Sequence, residues 1–334
     1  MLKISEQLPP QFLDAAPGDM HRVLGGPSLI HLPGRRWPAL FVSALLHGNE
    51  HTSLEAVQAL LHKYSDRDLP RALSIFVGNV EAARHGRRRM EHQPDYNRVW
   101  PGSETDGTPE HDVMRQVVDA MARRGVFASI DVHNNTGLNP HYACVNRIDN
   151  RFFHLATLFS RIVVYFTTPR GVQSQAFAEL CPSVTVECGK SGDQRSVEHA
   201  LEYLDACLHL AEIPDHAPRS QDLALFHTVA VVKVPEEFSF SFGGRDTELR
   251  FEPDLDHFNF RELAAGTPLG TLRPGSRARL WAFDDHGTEV GHAYFTYDDN
   301  ELRLARGVMP SMLTLDERVI RQDCLCYLME RYDV

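Results

Sequence analysis

His47-Gly48-Asn49-Glu50 puts an imidazole and a carboxylate three residues apart. Both side chains can reach one metal ion, and nitrogen with carboxylate oxygen suits Zn²⁺. Gly48 permits a tight turn between them. One further protein ligand would leave an open position for water. His133, in Asp131-Val132-His133-Asn134-Asn135, could be that ligand, with Asp131 orienting an imidazole from behind. Glu187, in Val186-Glu187-Cys188-Gly189-Lys190, could take a proton from zinc-bound water and later hand it to a leaving amine. Each motif also has a plainer reading: a capping turn with a surface histidine, an Asn-rich turn, a glutamate exposed at a strand end. Cys188 has no identifiable histidine partner and reads as a small buried residue.

A second kind of chemistry lies between Glu81 and Pro109. Arg84, Arg87, Arg88, Arg89 and Arg98 gather there in an otherwise acidic chain. Arginine grips carboxylates bidentately and keeps its charge, which fits an anionic substrate. A solvated basic surface is the alternative, and Arg84 and Arg87 fit it better.

The elements that must position these residues alternate between strand and helix. Ala39–Leu46 is a continuous apolar run, as in a strand covered on both faces. Leu54, Val57, Leu60 and Leu61 follow at helical spacing. Leu73–Val77, Val126–Val132, Tyr142–Val145, Ile162–Phe166 and Val184–Glu187 read as further strands. Val113–Met121, Phe152–Phe159 and Val197–Leu210 read as helices. The pattern predicts an α/β fold over roughly the first two-thirds. Every candidate ligand then falls at a strand end, where ligands bind in such sheets. The proline-bearing loop 81–109 is too long for an idle connection.

Ile213-Pro214-Asp215-His216-Ala217-Pro218 reads as a linker. Beyond it, strands at Thr228–Val234, Gly266–Leu272, Ala278–Phe283, His292–Tyr297 and Val319–Leu328 predict a smaller β-rich domain. The expected domains are residues 1–215 and 216–334.

Composition narrows the function. The 334 residues carry 34 Lys+Arg against 45 Asp+Glu, a net charge of −11, which argues against a general nucleic-acid binder. At 43% hydrophobic residues the chain can bury a real core. No apolar run approaches the ~20 residues that span a bilayer, and the first residues lack the apolar core of a signal peptide. Six cysteines, none in a Cys-x-x-Cys pair, read as reduced thiols in the cytoplasm.

In this order the motifs resemble those of the succinylglutamate desuccinylase/aspartoacylase family, zinc hydrolases related to the metallocarboxypeptidases. His47-Gly48-Asn49-Glu50 resembles the family's first metal motif and Asp131-Val132-His133 the motif with the third ligand. Asp95-Tyr96-Asn97-Arg98 resembles the substrate motif, and Glu187-Cys188-Gly189-Lys190 the stretch holding the catalytic Glu. Gly78-Asn79 is similar to the pair after the second strand. The resemblance implies a mixed sheet sandwiched between helices, zinc-carboxypeptidase-like, with a smaller C-terminal β domain. It implies one Zn²⁺ per chain on His47, Glu50 and His133, and Glu187 as general base. Asn97 and Arg98 would bind substrate, and Arg89, or Arg88 beside it, would polarise the scissile carbonyl. The reaction implied is hydrolysis of the amide in a small anionic N-acyl amino acid, in amino-acid metabolism. No arginine stands in Gln175–Glu179, where aspartoacylases hold their substrate, which weakens the case for N-acetylaspartate. Thr167-Thr168-Pro169-Arg170-Gly171 looks more like the desuccinylase side, and a relative with another N-acyl substrate is an equal alternative. A metallocarboxypeptidase acting on small peptides and a non-catalytic metal- or carboxylate-binding relative are the alternatives. A structural zinc site would favour cysteine ligands, and none lies beside His47 or His133. Neither nucleic acid nor membrane is an expected partner; a homodimer is the default assembly.

Overall fold

Ala39–Ala44 and Leu73–Val77 are buried at every residue, which only the interior of a sheet with two covered faces allows. In the computed structural model, which describes residues 1–332, they pair in parallel at the centre of a mixed sheet. The chain divides into two units. The first holds residues 1–134 and 141–224; the second holds 135–140 and everything from Leu225 onward. The expected boundary lay near residue 216, and the short segment 135–140 was not expected to leave the first unit.

The first unit runs β1 (Lys3–Ser5), α1 (Met20–Leu24), β2 (Ser28–Leu32), β3 (Ala39–Ala44), α2 (Thr52–Lys63), β4 (Leu73–Val77), α3 (Val80–Arg84), α4 (Pro109–Arg124) and β5 (Val126–Asn135). It continues with β6 (Tyr142–Val145), α5 (Asn150–Thr157), β7 (Ile162–Tyr165), α6 (Gln173–Phe177), β8 (Ser183–Lys190) and α7 (Gln194–His209). The strand order is β1-β2-β4-β3-β5-β8-β6-β7. β3 runs parallel to β4 and β5, whereas β2 and β6 run antiparallel to β4 and β8. Ser129 N–H donates to Pro182 O and Asn134 Nδ2 to Gly189 O, so β5 and β8 also run in one direction. The C-terminal ends of β3, β4, β5 and β8 therefore share one edge.

Helices cover both faces. Phe41, Phe76, Trp100, Val117, Met121 and Phe177 form one core between the sheet and helices α4 and α6. Phe41 stacks on Phe177 with ring centroids 4.2 Å apart. On the other face α2 packs against α7, with Tyr64 Oη donating to Asp205. Tyr203 Oη of α7 donates to Leu155 O of α5.

The second unit is mostly strand: β9 (Ala224–Lys233), β10 (Phe240–Phe242), β11 (Leu249–Phe251), β12 (Pro268–Leu272), β13 (Trp281–Phe283), β14 (Phe295–Asp298), β15 (Glu301–Leu304), β16 (Met309–Ser311) and β17 (Cys326–Arg331). β17 pairs antiparallel with β9 and β16, and β13 with β9. A smaller sheet runs β10-β11-β12-β15-β14. Val232, Phe251, Leu280, Leu302 and Leu328 belong to the core they share. Two expected strands begin as helix instead. Gly291–Tyr294 is a helical turn before β14. Glu317–Gln322 is helical because Asp316 caps it, accepting from the N–H groups of Arg318 and Val319.

Candidate metal centre

β3 stops at Ala44, two residues short of its apolar run. Leu45 turns into the left-handed region at φ 52°, a conformation that costs a branched residue about 1–2 kcal/mol. It is held there by its N–H to Ser53 Oγ and by Asn79 N–H to its carbonyl. This kink throws His47-Gly48-Asn49-Glu50 across the sheet edge before α2 begins. Gly48 is required by contact: a Cβ there would lie 2.1 Å from Ala83 N. Its N–H donates to Arg88 O, pinning the arginine loop to the same turn.

His47 Nδ1 lies 2.7 Å from Glu50 Oε1, and His133 Nδ1 2.7 Å from Glu50 Oε2. All three side chains are buried. Their ligand atoms lie within 4.8 Å of one another, so the cluster could hold a metal ion. The outer nitrogens are also committed. His47 Nε2 donates to Asp95 Oδ1 at 2.9 Å, and His133 Nε2 to Asp131 Oδ2 at 2.8 Å. A carboxylate behind each imidazole fixes the tautomer that leaves Nδ1 for a metal. Asp131 is itself held by Ser43 Oγ at 2.6 Å and Asn97 Nδ2 at 3.3 Å.

Electrostatics agree with a site built for positive charge. Burial opposes charging His47 and Arg88 repels it, yet Glu50 and Asp95 outweigh both and raise its pKa. Burial likewise opposes a charged His133, but Asp131 and Glu50 lift it well above the ordinary range. Burial would push the Glu50 carboxyl up; the two imidazoles hold it far below normal instead. Asp95 is held down in the same way by Arg88, His47 and Arg98.

Glu187 is buried near the end of β8, opposite Tyr142 in the β6 register. Gln173 Nε2 donates to Ser129 Oγ, and Thr185 Oγ1 to Ser174 Oγ. Ser129 and Thr185 thus both face α6, and strand alternation puts His133 and Glu187 on that same face. Cys188 is buried on the opposite face; burial, with Glu187 and Glu50 adding to it, raises its thiol well above the ordinary range.

The arginine loop separates its members. Arg88 donates through Nε to Asp95 Oδ2 at 3.0 Å, with Nη2 2.9 Å from the same oxygen. Its Nη1 stands 3.7 Å from Glu50 Oε1. Arg89 instead donates to Gln93 O at 2.9 Å. Arg84 and Arg87 are exposed. Asn97 is spent on the centre: Nδ2 lies 3.1 Å from His133 Nε2, and Oδ1 accepts Gln173 N–H. Arg98 Nη1 donates to Asn97 O. Sequence reading missed Ser43 and Gln173, and quoted Asn134 in the His133 motif without giving it a role. An isolated polar residue inside an apolar run was the available signal for Ser43; Gln173 carried none.

Residues 36–210 match the model of the succinylglutamate desuccinylase/aspartoacylase catalytic domain. A succinylglutamate desuccinylase of Pseudomonas aeruginosa (strain LESB58) is 26% identical over 279 residues, 75% of this chain and 78% of that protein. Among solved structures, murine aminoacylase 3 has a TM-score of 0.59 at 15% identity, covering 90% of this chain and 97% of that one. A succinylglutamate desuccinylase/aspartoacylase from Rhodobacter sphaeroides also scores 0.59 at 15% identity, covering 90% and 88%. By its motifs, its sheet and its matched catalytic region, the chain belongs to the succinylglutamate desuccinylase/aspartoacylase family of hydrolases.

Proposed function

We propose that the protein is a zinc-dependent amidohydrolase that cleaves the amide bond of a small anionic N-acyl amino acid. The observation that carries this reading is the double clamp on Glu50. Two Nδ1 atoms meet one carboxylate, and each imidazole has its own carboxylate behind it. Two nitrogens and one carboxylate are the donor set of catalytic rather than structural zinc. Bound there, Zn²⁺ would supply an acidified water and polarise the scissile carbonyl.

The chain's own residues do the rest. Glu187 takes a proton from the attacking water and returns it to the departing amine nitrogen. Arg88, not Arg89, stabilises the charge developing on the carbonyl oxygen, since its guanidinium is the one aimed at the ligand cluster. Arg98 holds a substrate carboxylate, which orients the amide for attack. Asn97 donates to Asp131, which in turn holds His133, and carries Arg98 beside them. Six free, buried cysteines support a cytoplasmic location. No helix among the described residues is long and apolar enough to cross a membrane.

Elemental analysis of protein purified without chelators tests the centre, with His133→Ala alongside. About one zinc per chain, lost in the variant, is expected; no zinc in either, before or after adding it, would sink the reading. A panel of N-succinyl and N-acetyl amino acids against dipeptides then tests the substrate class. Turnover of peptides alone would favour a carboxypeptidase.

A further inference from the structure

Asn134 lies on the face of β5 opposite His133 and touches no candidate substrate group, yet three elements meet on it. Its backbone N–H donates to Glu50 Oε2 at 3.1 Å. Its Oδ1 accepts the N–H of Thr52, the first residue of α2, at 3.3 Å. Its Nδ2 donates to Gly189 O at 3.0 Å, two residues beyond Glu187. One buried amide thus spans the metal turn and the end of the strand carrying the proposed base. A second link runs alongside, from His51 N–H to Ser191 Oγ at 3.1 Å. Gly189 turns the chain with a left-handed φ of 70°, so β8 ends beside this link. The neighbouring side chains of β5 do not do this: Val132 is apolar, and Asn135 Oδ1 accepts from Asn139.

We infer that Asn134 is a positioning residue that holds the end of β8, and with it Glu187, in register with the turn that presents Glu50. It acts on proton transfer through Glu187 and leaves metal retention to the ligands and their carboxylates. A base misplaced by a fraction of an ångström loses rate without losing substrate. This inference rests on Glu187 being the general base.

The test uses full-length Asn134→Asp, which keeps an acceptor for Thr52 N–H but removes the donor to Gly189 O. Asn134→Ala and Glu187→Gln accompany it. Hydrogen exchange is read first. Amides of residues 187–191 should exchange at least about tenfold faster in Asn134→Asp, with the central strands unchanged. Unchanged protection there overturns the proposal. With a substrate from the panel, kcat should fall about 10–100-fold at nearly constant KM. Zinc affinity, from competition with a chelator, should stay within about threefold; a loss matching that in kcat would place Asn134 in the metal turn instead. In the Glu187→Gln background the Asn134→Asp change should cost little more, because the group it positions is gone. An equal loss in both backgrounds overturns the proposal. Full turnover in Glu187→Gln would remove the general-base reading itself. Full turnover in Asn134→Asp beside an inactive Glu187→Gln would remove only this one. If Asn134→Ala does not fold, the isosteric Asn134→Asp and Ser191→Ala carry the exchange test, each loosening one of the two links.

Discussion

Asp95 serves two masters, and the arginine assignment depends on it. One oxygen accepts His47 Nε2 while the other receives the guanidinium of Arg88. The ligand and the arginine are therefore oriented by one carboxylate, and neither can drift without the other. Arg88→Ala should lower kcat by about 10²–10³, as losing an oxyanion donor does. Arg89→Ala, whose partner is a backbone carbonyl in its own loop, should stay within about twofold of the parent. Steady-state kinetics on the two variants separates them, and the reverse result would return the role to Arg89. Adjacent arginines cannot be told apart by type, so the sequence left the pair open. Loop hydrogen bonds favour Arg88 in the proposed reading: Arg88 O is tied to Gly48, while Gln93 takes Arg89. Glu187→Ala should keep zinc and lose turnover. Retained turnover would end its role as base.

At the scale of elements, the edge of the sheet was legible and its corners were not. Apolar runs located β3 and β4 closely, because strands buried on both faces need little polar alternation; β5 and β8 were located too, although polar residues alternate along them. The kink at Leu45 was invisible, since nothing in Ala44-Leu45-Leu46 announces a left-handed residue. Helix α6 was also missed: it is one short turn whose polar Gln173 and Ser174 face inward. Those residues are buried because they brace Ser129, Thr185 and Asn97 rather than solvent. Close approach gives the sharpest test at this scale. Gly48→Ala would drive a methyl into the backbone of Ala82 and Ala83. Overpacking of this kind costs about 1–3 kcal/mol. The denaturation midpoint should fall, and zinc content with it, because α3 and the metal turn must part. A variant with the parent's midpoint and full zinc would show that the turn can shift freely.

Across the whole molecule, the centre ties stability to acidity. His47 and His133 have raised pKa values in the metal-free fold. Their contribution is present in full below the ordinary histidine value of about 6.5 and fades as pH rises through the raised values. Glu50 and Asp95 are depressed, so theirs is present above the ordinary carboxylate range and fades only as pH falls through the lowered values. The metal-free protein should be most stable at mildly acidic pH. In the proposed reading zinc competes with protons for the imidazoles, so the rise in Tm on adding it should grow from about pH 5.5 to 8. Thermal unfolding with zinc or chelator across that range checks the trend; a gain that shrinks with pH would contradict it. At this scale the composition shift beyond the 213–218 stretch pointed to the smaller C-terminal sheet. It did not foretell that residues 135–140 belong to the second unit. The reason is distance along the chain. Thr136 Oγ1 donates to Thr314 Oγ1, Asn139 accepts Met312 N–H, and Gly137 lies against Leu313 O so closely that no side chain fits.

That arrangement sets a timetable for a chain made from its N-terminus. Thr136 and Asn139, just past the His133 strand, have partners made more than 170 residues later. While synthesis is under way, the backbone just beyond a metal ligand has nothing to fasten to. Its fastening waits until Thr314 has emerged, so the nascent protein carries His47, Glu50 and His133 long before residues 135–140 can settle.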